Sequence, residues 1–378
     1  MPRFAQNAAM DSLPAAMEQA LALARRAIAL SEPNPRVGCV LVSADGSRVL
    51  GAGHTQPAGQ AHAEIMALRD ALSRGEDVRG ATAYVTLEPC AHHGRTGPCC
   101  DALAAAGIGR VVASLTDPNP LVAGQGFARL RAAGVTVEVG PGAEEARALN
   151  IGFFSRMVRK TPWVRMKVAA SLDGLTALPD GSSQWITSEA ARADGHAWRA
   201  RAGAVLTGIG TVLEDNPRLD VRLVSTPRQP ALVVVDSRLQ TPTDAALFQP
   251  GRPVLIYGAE DKPAAIAALR ARGAEVVLLP GPGGKVDLAA LLADLGRREV
   301  NELHVEAGYK LNGSLVREGL VDEFLVYLAP KLLGQGQGLA NFGPLASLAE
   351  ALELEFTSVE RVGPDLRVLA TVKGRSPM

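Results

Sequence analysis

Four residues in the first hundred have the types and spacing that a hydrolytic metal site needs: His62 and Glu64 in Ala61-His62-Ala63-Glu64, Cys90 after Pro89, and Cys99 after Pro98. Imidazole nitrogen and thiolate sulfur suit zinc, and three protein ligands leave the fourth tetrahedral position open to water. A carboxylate two residues from the histidine can carry a proton to a departing amine without ligating the metal. That makes Glu64 the catalytic acid/base of a zinc-dependent hydrolytic deaminase site. Singly, each residue has a blander explanation: a capping histidine, buried cysteines, a solvated glutamate. The order His-x-Glu, Pro-Cys, Pro-Cys carries the assignment. The interval from Cys90 to Cys99 is longer than Cys-x-x-Cys and indicates a loop between ligands. Consecutive helical residues diverge by about 100°, so Cys99 and Cys100 cannot both face one metal, and Cys99 is preferred because it follows Pro98. Cys39 lies in an apolar run and reads as core.

The elements that must position these residues alternate. Met17, Leu21, Ala24 and Ile28 recur at helical spacing. Residues 37–42 and 48–53 predict a hairpin around Asp45 and Gly46, followed by a helix over 64–73, a strand over 83–87, a helix over 101–106 and a strand over 110–115. A helix over 126–133, a strand over 135–139 and one helical stretch over 144–159 complete this half, and the domain boundary falls there, giving domains 1–150 and 151–378. The second half predicts strands over 163–169, 231–236, 254–257, 302–306, 322–329 and 366–372, with helices over 188–199 and 311–318. The closing strands have only a short helix among them, so a mixed sheet is expected.

A chain of 378 residues exceeds one ordinary core, and 47% hydrophobic residues with 39 basic and 39 acidic side chains describe a soluble globular protein. Without a basic excess, a small-molecule substrate is favoured over nucleic acid. Four clustered cysteines do not form a disulfide framework and point to a reducing, cytoplasmic setting. Asp11, Glu18, Arg25 and Arg26 interrupt the N-terminal apolar runs, so no membrane segment is expected.

Further motifs are Pro33-Asn34-Pro35, His92 through Cys99, Asp117-Pro118-Asn119-Pro120, Ser171-Leu172-Asp173-Gly174, Gln184-Trp185-Ile186-Thr187, Thr211 to Arg222, Glu306-Ala307-Gly308 and Ala329-Pro330-Lys331-Leu332. With them the chain resembles, over nearly its whole length, the bifunctional riboflavin-biosynthesis deaminase/reductases. The resemblance implies an α/β architecture: an N-terminal cytidine-deaminase-like α/β/α domain, then a dihydrofolate-reductase-like α/β domain. It also implies the substrate, 2,5-diamino-6-(5-phosphoribosylamino)pyrimidin-4(3H)-one, a pyrimidine ribosyl phosphate that is deaminated and then reduced by NADPH to the ribityl product. By the same resemblance Asn34, His92 and Arg95 hold the deaminase substrate. Lys167, Ser183, Arg199, Leu219, Arg222 and Glu306 face the reductase substrate. Ala169, Trp185, Thr211, Asp215, Ser237, Gly308, Tyr309, Lys310, Leu311, Asn312, Gly313 and Ser314 face NADPH. Zinc and NADPH are the implied cofactors, and a homo-oligomer is allowed. Two positions depart from the family pattern: Gly97 stands where proline is usual, and Tyr309-Lys310 replaces a small or proline residue plus threonine. Residues 308–313 also read, from glycine content, as a phosphate-binding turn ahead of a helix. The rival readings are another nucleoside or nucleic-acid deaminase fused to an unrelated reductase, and a structural zinc module, which Glu64 argues against.

Overall fold

The computed structural model describes residues 13–91, 97–120 and 122–375. The chain separates into two compact units, Met1–Asn150 and Ile151–Met378.

In the first unit the order is α1 (Ala15–Arg26), β1 (Gly38–Val42), β2 (Val49–His54), α2 (Ala63–Ser73), β3 (Thr82–Val85), α3 (Cys99–Ala105), β4 (Arg110–Ala113), α4 (Gln125–Ala132), β5 (Thr136–Val139) and α5 (Ala143–Leu149). Among the described residues these strands form a five-stranded sheet, β2-β1-β3-β4-β5. The hairpin β1–β2 is antiparallel, as are β1 and β3, whereas β3, β4 and β5 run parallel. Glycines set how closely the helices approach. A Cβ on Gly38 would meet the Ala20 carbonyl oxygen of α1 at 1.9 Å, and one on Gly51 would meet that of Ala67 in α2 at 2.3 Å. Gly51 pairs with Leu41, which is odd in register relative to Gly38, so the two glycines open opposite faces of the sheet. The result is a helix layer on each side of the sheet.

The second unit contains α6 (Ile151–Arg159), β6 (Trp163–Ser171), α7 (Glu189–Arg201), β7 (Ala204–Gly208), α8 (Ile209–Asp215), β8 (Ala231–Val235), β9 (Val254–Gly258), α9 (Pro263–Ala271), β10 (Ala274–Leu278), α10 (Leu288–Arg297), β11 (Glu302–Val305), α11 (Tyr309–Arg317), β12 (Glu323–Ala329), β13 (Leu354–Val362) and β14 (Asp365–Val372). Its nine strands order as β10-β9-β8-β7-β11-β6-β12-β14-β13. Those from β10 to β12 are parallel, and β14 and β13 add antiparallel at one end, giving the expected mixed sheet. Alternate residues of β8 enter different cores. Val233 and Val235 pack with Leu291, Leu295 and Leu315 of α10 and α11, and Leu232 and Val234 pack with Val212 and Leu269 of α8 and α9. Both faces are therefore covered, which is why these strands read as continuous apolar runs.

Two expectations change. The single helical stretch over 144–159 is two helices. Asn150 leaves helical geometry (φ −111°, ψ 18°) because its side chain is spent on Arg36. Oδ1 accepts from the Arg36 amide at 2.7 Å and Nδ2 donates to the Arg36 carbonyl at 2.9 Å. The stretch 308–313 is not a turn before a helix: Gly308 is the N-cap and Tyr309 already begins α11.

Candidate functional site

Local structure builds the first site. His62 is the N-cap of α2, so the next turn carries Glu64 inward, where it is 4% exposed. Pro98 caps α3, and Cys99 opens it. The α3 start grips the loop bearing Cys90: the Cys99 amide donates to Cys90 Sγ at 3.4 Å and the Cys100 amide to the Cys90 carbonyl at 3.3 Å. His62, Cys90 and Cys99 thereby present three ligand atoms within 4.8 Å of one another. For tetrahedral zinc with bonds of about 2.3 Å to sulfur and about 2.0 Å to nitrogen, such ligands stand about 3.5 Å apart. Here His62 Nδ1 lies 3.6 Å from Cys90 Sγ and 3.5 Å from Cys99 Sγ, so the donor set fits the metal. Cys100 instead turns to Asp101, and Cys39 is buried in β1.

The hydrogen bond from Cys99 and the imidazole of His62 pull the Cys90 thiol down to about 4, while Cys99, which keeps the proton it donates to Cys90 and is also buried, is pushed up. The His62 imidazole is raised, chiefly by Cys90. Burial, reinforced by the Cys90 charge, pushes the Glu64 carboxyl up to about 7. Asn34 occupies the turn ahead of β1, its amide donating to the Ser31 carbonyl at 2.7 Å. His92 and Arg95 lie outside the described residues. A groove of about 970 Å³ borders Ala61 and Pro98, the neighbours of two ligands, between α2 and α3.

Glu88 belongs to the Tyr84–Cys90 motif, but the sequence assigned it no role. Buried Glu88, two residues before Cys90, accepts from the amides of Asp117 (3.1 Å) and Gly124 (2.9 Å) on one oxygen, and Gly126 (2.9 Å) and Phe127 (3.3 Å) on the other. It ties the Asp117-Pro118-Asn119-Pro120 motif to the ligand loop. Burial lifts the Asp117 carboxyl to about 7. The signal was present as a glutamate in an otherwise apolar segment, which needs several donors once buried.

The second cluster forms at the carboxyl ends of parallel strands, where crevices of such sheets open. Met166 of β6 and Leu303 and Val305 of β11 point into the α10–α11 core, so Lys167 and His304 point to the other face. α7 lies over that face, packing Ala191 and Trp198 against Leu325 and Tyr327 of β12. There Arg199 of α7 grips Glu306, which directly follows β11, through Nε and through Nη2 at 2.8 Å. Lys167 Nζ stands 3.8 Å from the same carboxylate, and His304 Nε2 stands 3.3 Å away. Burial works to raise Glu306, but Arg199 and Lys167 overcome it and hold the carboxyl well below its ordinary range. Burial, opposed by Glu306, lowers the Lys167 ammonium.

Arg199 Nη1 donates to the Asp220 carbonyl at 3.0 Å, so its donors are largely spent within the protein. Arg222 pairs with Asp220 at 2.8 Å through Nη1 and remains 45% exposed. Leu219, in the left-handed region (φ 53°), turns the chain between them. Thr211 and Asp215 lie on α8, and Thr211 Oγ1 would stand 3.5 Å from a Cβ on Gly308, so the starts of α8 and α11 are neighbours at the ends of β7 and β11. Ser237, just beyond β8, accepts from the Val286 amide at 3.1 Å. Ala169 lies near the end of β6. Within α11, Tyr309, Lys310, Leu311 and Ser314 follow the N-cap, whereas Asn312 donates to the Leu339 carbonyl at 3.1 Å and Gly313 packs on the Asn341 backbone. Trp185 is exposed beneath the Arg192 guanidinium, in the loop that also holds Ser183. Asp173 binds the amides of Leu333 and Gly334, joining the Ser171–Gly174 and Ala329–Leu332 motifs. His196 and Asp220 were not singled out from sequence, although the spacing of His196 and Arg199 puts them on one helix face.

Comparison with known proteins bears on both halves of the chain. Residues 10–115 match the cytidine and deoxycytidylate deaminase zinc-binding region, and residues 162–368 match the RibD C-terminal domain. The riboflavin biosynthesis protein RibD of Escherichia coli (strain K12) is 46% identical over 364 residues, covering 93% of this chain and 96% of that protein. Its counterpart in Aquifex aeolicus is 40% identical over 350 residues, with 93% and 96% covered. Among solved structures, Acinetobacter baumannii RibD superposes with a TM-score of 0.84 at 40% identity, over 95% of this chain and 98% of that one. The diaminohydroxyphosphoribosylaminopyrimidine deaminase/5-amino-6-(5-phosphoribosylamino)uracil reductase of Thermotoga maritima gives 0.83 at 31% identity, over 94% and 97%. Likeness of this extent through both halves places the chain in the family of bifunctional riboflavin-biosynthesis enzymes, a cytidine-deaminase-like domain followed by a reductase domain, with zinc and NADPH as cofactors.

Proposed function

We propose that Met1–Asn150 deaminates 2,5-diamino-6-(5-phosphoribosylamino)pyrimidin-4(3H)-one and that Ile151–Met378 reduces the resulting 5-amino-6-(5-phosphoribosylamino)uracil. The observation that carries the reading is the convergence of His62, Cys90 and Cys99 beside buried Glu64. Bound there, zinc activates a water near neutral pH. Glu64 takes up one proton and delivers it to the leaving ammonia, a task suited to a buried carboxyl beside the ligands. Asn34, His92 and Arg95 orient the substrate, the guanidinium through its phosphate.

In the second unit NADPH supplies the hydride. The reduction also consumes a proton, and Lys167, held against Glu306, is the group placed to give it. Exposed Arg222 holds the phosphate, and Arg199 fixes Glu306. The α11 N-terminus and neighbouring Thr211 receive the cofactor pyrophosphate. Neutral net charge and clustered free cysteines support a small-molecule enzyme of the cytoplasm that binds no nucleic acid. β13 supports self-association. This edge strand exposes Leu354, Phe356 and Val359, and antiparallel pairing of two copies about Ser358 would set Glu355 opposite Arg361. Sedimentation of the chain at its 39.4 kDa monomer mass would exclude it.

The deaminase reading is tested with Glu64→Gln, which keeps the side-chain outline and loses the proton shuttle. Zinc content should stay near one per chain while ammonia release falls by about a hundredfold or more. Normal ammonia release from the zinc-loaded variant would remove Glu64 from the mechanism.

A further inference from the structure

One buried imidazole joins α7 to the segment that carries Arg222. His196 lies one turn before Arg199 and is 4% exposed. Its Nδ1 stands 3.1 Å from the Arg222 backbone nitrogen. An amide N–H can only donate, so Nδ1 accepts, and the single proton of the neutral ring must sit on Nε2. Nε2 stands 3.4 Å from Arg199 Nη1. In this tautomer both are donors, so Arg199 takes its orientation from Glu306 and the Asp220 carbonyl instead. A second ring proton would point at the Arg222 amide and place a cation between two guanidinium groups. Burial first, then Arg199 and Arg222, accordingly lower the imidazole to about 4 against the opposing pull of Glu306 and Asp220.

The same backbone is clamped from other directions. The Gln229 amide accepts from Val221 N and donates to Val221 O, each at 2.8 Å. Buried Arg252 donates to the carbonyls of Arg218 and Leu219, each at 2.9 Å. Only the His196 and Arg199 contacts in this set come from α7, the helix that also holds Glu306. Arg222 thus projects from a fixed segment, with Asp220 on one side of its guanidinium and solvent on the other.

We propose that His196 is a positioning residue of the reductase site: by accepting the Arg222 amide proton it fixes Arg222 relative to Arg199 and Glu306, so that the guanidinium meets the substrate phosphate while the reacting sugar lies at Lys167 and Glu306. The proposal rests on the reading of Arg222 as a phosphate ligand.

The test uses the full chain, with 5-amino-6-(5-phosphoribosylamino)uracil supplied directly and inorganic phosphate as a competing probe. His196→Leu should raise the KM for this substrate and the inhibition constant of phosphate roughly five- to tenfold, with kcat and the KM for NADPH within about twofold. His196→Asn places a carbonyl oxygen where Nδ1 stood and should restore most of the loss. His196→Gln places it near Nε2 and should not. Should His196→Leu fail to fold, the Asn and Gln variants decide the matter alone. A folded Asn variant no better than Gln, or a fall in kcat with unchanged KM, would overturn the proposal. Arg222→Gln separates the two readings. If it leaves the substrate KM unchanged, the phosphate assignment is wrong; if it raises KM while His196→Leu does not, only the positioning role is wrong.

Discussion

The two units assemble chemistry by different means. In the first, the ligands and the acid/base all lie between His62 and Cys99, and each is placed by a local device: the α2 start, the loop held by α3, and the α3 start. In the second, Lys167, Arg199 and Glu306 are far apart in the chain and meet only because β6 and β11 are parallel neighbours under α7. The surroundings differ as well. Beneath α7, Arg165 is 2% exposed and lies between Glu302 (2.7 Å) and Glu323 (2.6 Å), with Trp198 stacked 4.5 Å away. A site made of short-range devices can lose one ligand and keep its fold. A site resting on a buried charge network has its positioning and its stability in the same residues.

Cys90→Ser gives the largest contrast. Serine is a poor substitute for thiolate toward zinc, so the variant should lose the metal and at least about a thousandfold in ammonia release, on the scale of several kcal/mol that a bound ion supplies. Every residue assigned to NADPH or to the reductase substrate lies after Asn150, so NADPH oxidation with supplied ribosylaminouracil phosphate should stay within about twofold. Zinc analysis and the two assays on one preparation settle the point. A soluble, folded variant that cannot reduce the intermediate would mean that the two sites are coupled.

Arg165→Met probes the other side of the comparison. It leaves Glu302 with Arg201 and Glu323 with Trp163, two buried carboxylates each short of a cation. Breaking such a network from one side costs about 3–5 kcal/mol. All three tryptophans, Trp163, Trp185 and Trp198, lie in the second unit, so their fluorescence during urea unfolding reports that unit alone. The midpoint should fall steeply while zinc retention is unchanged. A shift below about 1 kcal/mol would show that desolvation had already cancelled the attraction, and the network would then serve orientation rather than stability.

This contrast also decides what the sequence could reveal. His62, Glu64, Cys90 and Cys99 are legible because their meaning lies in residue type and short spacing. Of the parallel strands of the second unit, β6, β8, β9, β11 and β12 were legible as apolar runs while β7 and β10 were not among the strands expected, and Ser188 marked the start of α7. β13 was not legible, since the alternation begun by Leu354 and Phe356 is broken by a register shift between Phe356 and Ser358. Glu88 and His196 were not legible either. Each works by accepting backbone amides from segments distant in the chain, and no spacing rule encodes which amides arrive. The break at Asn150 is of the same kind, because a helix-compatible stretch is interrupted by a bond to Arg36 that exists only after folding. Lys167, Arg199 and Glu306 were named through the family resemblance, and strand register explains why they meet.

The smallest expected effect concerns how firmly α7 must be held. Ser188 caps the helix, its Oγ accepting from the Ala191 amide at 3.3 Å, while its own amide donates to Asp365 at 2.7 Å. Ser188→Ala removes the first bond and keeps the second. An N-cap of this kind contributes about 1 kcal/mol, which in a unit of this size lowers the melting temperature by about 2–4 °C. The helix has other anchors near its middle, since Asp194 accepts from Tyr327 Oη at 2.6 Å and from Arg367 at 3.0 Å. His196 and Arg199 lie beyond those anchors, so the fraying of the first turn should not reach them. The melting transition followed by tryptophan fluorescence should therefore shift, and the substrate KM of the reductase should stay within about twofold of the parent value. A KM increase as large as that of His196→Leu would show that α7 moves as a rigid rod from its first turn. Positioning in the second unit would then depend on the whole helix rather than on the contacts around Arg222.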